Sequence, residues 1–233
     1  MRLTVLMYHN VKEHCIPDDL NVTKQQLDDQ FKYLQQNNYH VISLSELNDA
    51  IHRLKPLPKK SVLISFDDGY KNNYTCLYPL LVKYNFKAAI FLTAGFIGEN
   101  NYLSVDEIQS MENNLVEYGL HTVKHNSYTQ LSAAEIEEDI LRTKKTFKHL
   151  GINFQPSLAY TFGDFVKNDP VKRRQMFQSM QQHGIESAFR IGNRINRVPA
   201  KNNYLLQRVD VRGTDSLRKF KLMCRFGKKY LFF

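Results

Sequence analysis

Short apolar segments alternate with amphipathic segments of helical spacing along almost the whole chain. Predicted strands are 3–8, 39–44, 61–66, 88–92, 115–120, 156–160, 187–191 and 204–209. Predicted helices are 23–37, 45–54, 70–83, 104–113, 132–150, 169–183 and 215–224. A strand–helix alternation of this kind is typical of parallel βαβ units. It therefore predicts an α/β fold.

The predicted strands are short and apolar throughout, which indicates a sheet that is covered on both faces. The number of strand–helix units favours closure into a barrel of seven or eight units, with an open doubly wound sheet as the alternative. With 233 residues, 42% of them hydrophobic, the chain suffices for one core, and no repeat or linker divides it. We therefore predict a single catalytic domain over residues 1–217, followed by a basic, aromatic C-terminal tail over 218–233.

Two adjacent acids, Asp67 and Asp68, follow the third predicted strand and precede Gly69. Neighbouring side chains of a regular strand point to opposite faces, so these acids converge only where the strand stops. Glycine allows the chain to turn there. Alternatively, Asp68 caps the next helix. In a barrel, catalytic residues lie just past the C-terminal ends of the strands, which favours the functional interpretation.

Residues that bind metals or transfer protons also follow other strands at the same end. His9 follows the first strand, His121 and His125 follow the fifth, and Arg208 and Asp210 close the last. Two imidazoles four residues apart would share one face of a helical turn, although an isolated pair can equally be surface or capping histidines. With one carboxylate they form a site that zinc and non-haem iron both accept.

This set of residues predicts metal-assisted hydrolysis of an acyl bond. Asp68, His121 and His125 would hold a divalent metal and leave one position open for water. The metal would lower the pKa of that water and polarise a carbonyl group, so that the water attacks it. Asp67, a carboxylate beside a cation, would stay ionised and accept the proton of the water.

Three segments, taken in order, resemble the polysaccharide deacetylases, the NodB-like family also called carbohydrate esterase family 4. They are Met7-Tyr8-His9-Asn10-Val11, Ser65-Phe66-Asp67-Asp68-Gly69 and His121-Thr122 with His125. The resemblance is closest to the branch that begins with Met-Tyr-His, which includes deacetylases of poly-N-acetylglucosamine. It implies a distorted (β/α)7–8 barrel, a divalent metal, usually Zn²⁺, and removal of N-acetyl groups from a sugar. The substrate would be a polysaccharide, a glycan precursor or a lipid-linked sugar.

The resemblance also implies individual roles. Asp67 would be the catalytic base, and Asp68, His121 and His125 the metal ligands. The segment around Phe162 resembles the third motif of the family, whose aromatic residue supplies a backbone N–H group to the oxyanion.

The sequence departs from the family pattern in its later motifs. Thr161 stands where the third motif has proline, and the arginine of that motif is absent. The chain contains no Trp, so the Asp-Trp motif is missing, and the late histidine that supplies the general acid is replaced in 205–208. Arg208, from another strand, is our candidate for the missing arginine. His9 is our candidate for the general acid.

The sequence alone leaves three other functional classes open. A barrel that binds glycan without turnover would be consistent with the departures from the motifs. A two-histidine, one-carboxylate iron oxygenase would share the ligands, although such sites usually lie in β-rich sandwiches. A nucleic-acid binder would fit the net charge of +9, but no nucleic-acid motif accompanies the basic residues. We therefore predict no nucleic-acid partner.

The chain carries few signals of location. Its first apolar segment is too short for a signal peptide core, and no segment approaches the ~18 apolar residues of a membrane span. Cys15, Cys76 and Cys224 are scattered and form no CxxC pair, which suits a reducing compartment. We predict a cytoplasmic protein, acting at the inner face of the membrane, with peripheral membrane contact through the tail.

Overall fold

The computed structural model describes residues 1–52, 55–112 and 115–229. Its strands are β1 Arg2–Tyr8, β2 Asn10–Lys12, β3 Asn21–Thr23, β4 His40–Ile42, β5 Ser61–Asp68, β6 Ala88–Leu92, β7 Val116–Leu120, β8 Ser157–Ala159, β9 Ser187–Ile191, β10 Asn196–Arg197 and β11 Leu206–Asp210. Its α-helices are α1 Lys24–Gln36, α2 Leu44–Ile51, α3 Tyr78–Tyr84, α4 Val105–Met111, α5 Ala133–His149, α6 Pro170–Gln182 and α7 Leu217–Phe226. The ends of the predicted helices 45–54 and 104–113, and residues 230–233 of the predicted tail, lie outside the described residues.

Within the described ranges, seven parallel strands close into a barrel in the order β1, β11, β9, β8, β7, β6 and β5, and β5 pairs again with β1. The predicted single-domain barrel is therefore confirmed with seven strands, and the alternative of an open sheet is wrong. Closure places β5 and β11 on the two sides of β1.

Helix α2 covers the N-terminal end of the barrel. Ser187 Oγ, at the start of β9, donates a hydrogen bond of 3.2 Å to Asn48 Oδ1 of α2. The backbone N–H and the hydroxyl of Ser45 donate to the carboxylate of Glu117 in β7, at 2.9 and 2.6 Å. Helix α2 thus lies opposite the end of the barrel at which the two adjacent acids of β5 are found.

The core is divided into two apolar clusters by the alternation of side chains along the strands. Val5 and Leu63 belong to the cluster that fills the barrel, together with Phe91 and residues of α2. Leu6 and Ile64, one position further along, belong to the cluster between the strands and the surrounding helices. All eight residues of β5 are buried, as expected for a strand that is covered on both faces.

Local capping sets the helix boundaries. Capping boxes at Ser104 and Ser132 open α4 and α5, at the starts of two predicted helices. Helix α2 begins at Leu44, because Ser43 and Glu46 form its capping box. The predicted start of this helix, at residue 45, was therefore late by one residue.

Helix α7 begins at Leu217, two residues after the predicted start at 215, and packs against the barrel. Phe220, Met223 and Cys224 are buried, and the Thr4 hydroxyl donates a hydrogen bond of 2.9 Å to the carbonyl oxygen of Cys224. Among the described residues, none of the helices combines the length and the apolar character that crossing a membrane requires.

Candidate active site

Strand β5 ends in two buried acids whose carboxylates converge on one histidine. Asp67 and Asp68 are 2% and 7% exposed. Asp68 has φ 73° and Gly69 has φ 77°, so the chain turns sharply at the second acid. The positive φ angle favours glycine at position 69, and a β-carbon there would also lie 2.6 Å from the Leu92 side chain. Because of this turn, Asp67 Oδ2 and Asp68 Oδ1 lie 3.9 and 3.3 Å from Nε2 of His121.

The helical segment that follows these acids begins later than predicted. Its first turn is a π-helical turn, Asn73–Leu77, and Asn72 precedes it. The alternative in which Asp68 caps a helix is therefore wrong.

The two histidines of the predicted metal site lie on the loop after β7. This loop is irregular, with positive φ angles of 67° at Thr122 and 58° at His125. The predicted sharing of one helical turn by His121 and His125 is therefore wrong. The loop nevertheless brings the two imidazoles together, with 5.1 Å between the ring centroids.

Asp139 of α5 anchors this loop from outside the barrel. Its carboxylate accepts hydrogen bonds of 3.0 Å from the backbone N–H of Val123 and from the hydroxyl of Tyr128. Burial raises the pKa of Asp139, although these two donors oppose the rise. Sequence reasoning missed this residue. The available signal was an acid between Ile136 and Ile140, on the apolar face of a predicted helix.

Asp68, His121 and His125 form a cluster of candidate metal ligands, and one atom from each lies within 4.8 Å of the others. Asp68 Oδ1 is 3.1 Å from Nε2 of His125. Nδ1 of His121 lies 2.8 Å from the carbonyl oxygen of Ala159. A carbonyl oxygen only accepts, so Nδ1 carries the proton and Nε2 of His121 keeps its lone pair toward Asp68.

The chemistry of this cluster fits a cation. Asp68 Oδ1 is buried and has no hydrogen-bond partner among the described residues. Burial raises the pKa of Asp68, but His121 and His125 hold it well below its ordinary value. In turn, burial lowers the pKa of His121, and the two acids raise it above its ordinary value. Positive charge is therefore favoured among these atoms, and two imidazole nitrogens with one carboxylate oxygen suit a divalent metal.

Arg208 of β11 pairs with Asp67 inside the barrel. Arg208 is completely buried, and its two terminal nitrogens donate hydrogen bonds of 2.5 and 2.7 Å to the two oxygens of Asp67. Burial alone would raise the pKa of Asp67, but the charges of Arg208 and His121 lower it below its ordinary value. The pair therefore keeps Asp67 ionised and fixes the plane of its carboxylate.

Phe162 lies in a 3-10 turn, Thr161–Gly163, directly after β8. Its backbone has φ 57°, its side chain is 68% exposed, and its ring centroid lies 4.7 Å from that of His125. A β-carbon at Gly163 would lie 2.0 Å from Ile191, so the turn requires glycine.

His9 follows β1 at the same end of the barrel. Burial lowers the pKa of His9 below its ordinary value, although the negative charges of Asp67 and Asp68 oppose this shift. The structure thus brings the seven predicted site residues to one end of the barrel. Asp210 is engaged elsewhere, because its carboxylate accepts a hydrogen bond of 2.7 Å from Nε of Arg212.

Comparisons with known proteins agree with this geometry. The family model described as polysaccharide deacetylase matches residues 54–188, more than half of the chain. The protein YxkH of Bacillus subtilis is 29% identical over 164 residues, which are 70% of this chain and 58% of YxkH. The poly-beta-1,6-N-acetyl-D-glucosamine N-deacetylase of Staphylococcus aureus is 28% identical over 203 residues, 81% of this chain and 67% of that protein. With 58% of YxkH covered, this chain spans less than two thirds of the length of that relative.

A solved structure shows the same fold. The deacetylase PplD of Streptococcus pyogenes, in complex with acetate, superposes with a TM-score of 0.82. The superposition covers 95% of this chain and 97% of that chain at 21% identity.

Proposed function

This chain belongs to the polysaccharide deacetylase family, and from that premise we propose that it is a metal-dependent hydrolase of an N-acetylated polysaccharide. In the reaction, water adds to the carbonyl carbon of an acetamido group and the carbon–nitrogen bond breaks. The products are acetate and a free amine on the sugar. The observation that carries the proposal is the position of the ionised Asp67 beside the candidate metal ligands, 3.9 Å from Nε2 of His121.

Asp68, His121 and His125 would hold the divalent metal. We propose zinc, because imidazole nitrogen and carboxylate oxygen are among its usual ligands. A cation bound there would lower the pKa of water and polarise the acyl carbonyl group. The alternative of an iron oxygenase uses similar ligands, but such sites usually lie in β-rich sandwiches rather than in a barrel of strands and helices.

Asp67 is the proposed base. Arg208 occupies one acceptor position on each oxygen of Asp67, and an ionised carboxylate has further acceptor positions on the same atoms. Asp67 can therefore accept a proton from the attacking water while Arg208 holds it in place.

Phe162 is the proposed donor to the oxyanion, through its backbone N–H group. The neighbouring N–H groups of Gly163 and Asp164 donate to Tyr160 and Thr161, whereas that of Phe162 has no acceptor among the described residues. A fixed and unused donor at a site of developing negative charge stabilises the transition state. His9 is the proposed general acid, which would give a proton to the departing amine.

The proposed substrate is a polymer of N-acetylglucosamine, because the named activity of the Staphylococcus aureus relative is deacetylation of the β-1,6-linked polymer. The proposal is tested by measuring acetate release from β-1,6-linked N-acetylglucosamine oligomers, with zinc and after chelation. A lipid-linked N-acetylated sugar serves as a second substrate in the same assay.

We expect zinc-dependent release by the wild-type protein and none by the Asp67→Asn or His121→Ala variants. His52→Ala is the matched control, since His52 pairs with Glu186 at 3.2 Å and lies at the surface, with half of its side chain exposed. Acetate release that survives Asp67→Asn would contradict the mechanism. Glycan binding without any release would indicate the alternative, a barrel that binds glycan without turnover.

We also propose a cytoplasmic location and contact with an anionic membrane surface through residues 218–233. Arg218, Lys221 and Arg225 are exposed on α7, which supports such contact. Fractionation of cells that express the tagged full-length protein tests both points. A protein found only outside the cell would contradict them.

A further inference from the structure

A row of aromatic rings lies beside the candidate metal ligands, and the proposed chemistry does not use these side chains. Phe96 lies 4.7 Å from Tyr102 and 6.4 Å from His125, measured between ring centroids. Tyr102 in turn stacks on Tyr70 at 5.1 Å, with 19° between the ring planes. Phe162 also contacts His125, with 4.7 Å between the ring centroids and 73° between the ring planes. We call Tyr70, Phe96, Tyr102 and Phe162 the aromatic row.

Backbone hydrogen bonds fix the row to the active-site end of the barrel. Tyr70 and Tyr102 form an antiparallel bridge, and the N–H group of Leu103 donates to the carbonyl oxygen of Gly69 at 2.9 Å. The N–H group of Gly95 donates at 2.8 Å to the carbonyl oxygen of Val123, on the histidine loop. The row is therefore attached both to the end of β5 and to the loop that carries the histidines.

Packing of the core does not explain these rings. Among the described residues, neither apolar core cluster includes Tyr70, Phe96 or Tyr102. Phe162 is mostly exposed, and the other three rings are half-buried. Partly exposed aromatic rings around a few polar groups are typical of surfaces that bind small ligands.

The row has the chemistry to bind sugars. A pyranose ring presents C–H groups on its faces and hydroxyl groups at its rim. Phe96 and the ring of Tyr102 offer apolar surface, and the hydroxyl groups of Tyr70 and Tyr102 offer hydrogen bonds. Both Phe96 and Phe162 contact the ring of His125, so these surfaces lie close enough to the candidate metal ligands to meet sugar units next to the reacting one.

We propose that the aromatic row binds the sugar units that neighbour the reacting unit, with pyranose rings packed on Phe96 and Tyr102. This inference rests on the proposed function, because it takes the substrate to be an N-acetylated glycan. It implies that the protein binds an oligomer more tightly than a single N-acetylglucosamine.

The inference is tested by titration calorimetry of a β-1,6-linked N-acetylglucosamine pentamer into chelated, metal-free protein, in which deacetylation is not expected. We expect Tyr102→Ala and Phe96→Ala each to weaken binding about tenfold, equivalent to about 1.4 kcal/mol. Tyr102→Phe keeps the ring and should stay within about threefold of the wild-type affinity. In the zinc-loaded protein, the alanine variants should raise the KM for the pentamer and leave kcat nearly unchanged.

Tyr39→Ala is the matched control. Tyr39 is also half-buried and also packs on another tyrosine, Tyr33, with 5.9 Å between the ring centroids. It precedes β4, however, and therefore lies at the opposite end of the barrel. It should leave pentamer affinity unchanged. Zinc binding by each variant shows that the site is still folded. Wild-type affinity in Tyr102→Ala and Phe96→Ala, or an equal loss in Tyr39→Ala, would overturn the inference. If no variant or wild-type protein releases acetate but binding still depends on Tyr102, the proposed function fails and the inference stands.

Discussion

Replacing Arg208 by methionine should destabilise the protein most strongly near neutral pH and move its activity to higher pH. Arg208 has no exposed surface, and it donates two hydrogen bonds to Asp67, which is itself 2% exposed. Methionine retains a long unbranched side chain but removes the charge. Arg208→Met therefore leaves a buried carboxylate without its partner.

The magnitude follows from the burial of both groups. Removing one partner of a buried ion pair costs about 3–5 kcal/mol, because the remaining charge is uncompensated. Domains are usually stable by about 5–15 kcal/mol, so most of the Arg208→Met protein should still fold. With a urea m-value of about 3 kcal/mol/M, the unfolding midpoint should fall by about 1–2 M.

The pH dependence has a defined sign. Burial favours a higher pKa for Asp67, but Arg208 and His121 outweigh it, so its folded pKa lies below its unfolded value. In the wild type, the ionised Asp67 therefore contributes stability above its unfolded pKa, and this is lost as the pH falls through the folded pKa. Without Arg208, burial is opposed mainly by the charges of His121 and His9, so we expect the pKa of Asp67 to rise above its unfolded value. The stability deficit of Arg208→Met is then largest near pH 7 and shrinks toward pH 5.

Urea unfolding of wild type and variant at both pH values measures this difference. The double variant Arg208→Met with Asp67→Asn is the control, because removal of both charges should recover most of the lost stability. The pH–rate profile of acetate release by Arg208→Met should also move to higher pH, since the base works only when ionised. An equal deficit at pH 5 and pH 7, without recovery in the double variant, would refute the reasoning.

Three further variants test the site. Asp68→Asn should bind zinc far less than stoichiometrically, as measured by metal analysis, because it removes the one carboxylate of the candidate cluster. His9→Gln should lower kcat for acetate release by about 10²–10⁴-fold with little change in KM, if His9 is the general acid. Gly163→Ala should lower stability to urea by about 1–3 kcal/mol, because its β-carbon would lie 2.0 Å from Ile191 at a positive φ angle.

Much of the barrel could be predicted because its strands are apolar on both faces. The predicted strands 88–92 and 187–191 coincide with β6 and β9. Uninterrupted apolar segments mark such strands clearly, and their repetition with helices implies parallel pairing. The start of α2 was predicted less well, because Ser43 and Ser45 are both capable helix caps and only the capping box with Glu46 decides between them.

The types of the site residues could also be predicted, but the backbone that presents them could not. A spacing of four between His121 and His125 suggests a helical turn, whereas the structure has left-handed residues at Thr122 and His125. Such conformations are unfavourable for these residues in isolation. Contacts from other parts of the chain stabilise the loop: Asp139 accepts a hydrogen bond from the backbone N–H of Val123, and the N–H of Ala94 donates to the carbonyl oxygen of Thr122. No local pattern carries that information.

The position of Arg208 shows why a missing motif residue does not mean a missing chemical group. Leu63 and Leu206 both face the barrel interior, so the period of two along each strand turns Asp67 and Arg208 inward as well. Their strands lie on the two sides of β1, which allows an arginine from β11 to reach an acid on β5. The absence of arginine from the third motif is therefore no sign of lost activity. Since the proposed base has its partner, the general acid becomes the decisive question. His9, our candidate for that role, directly follows β1, the strand between β5 and β11.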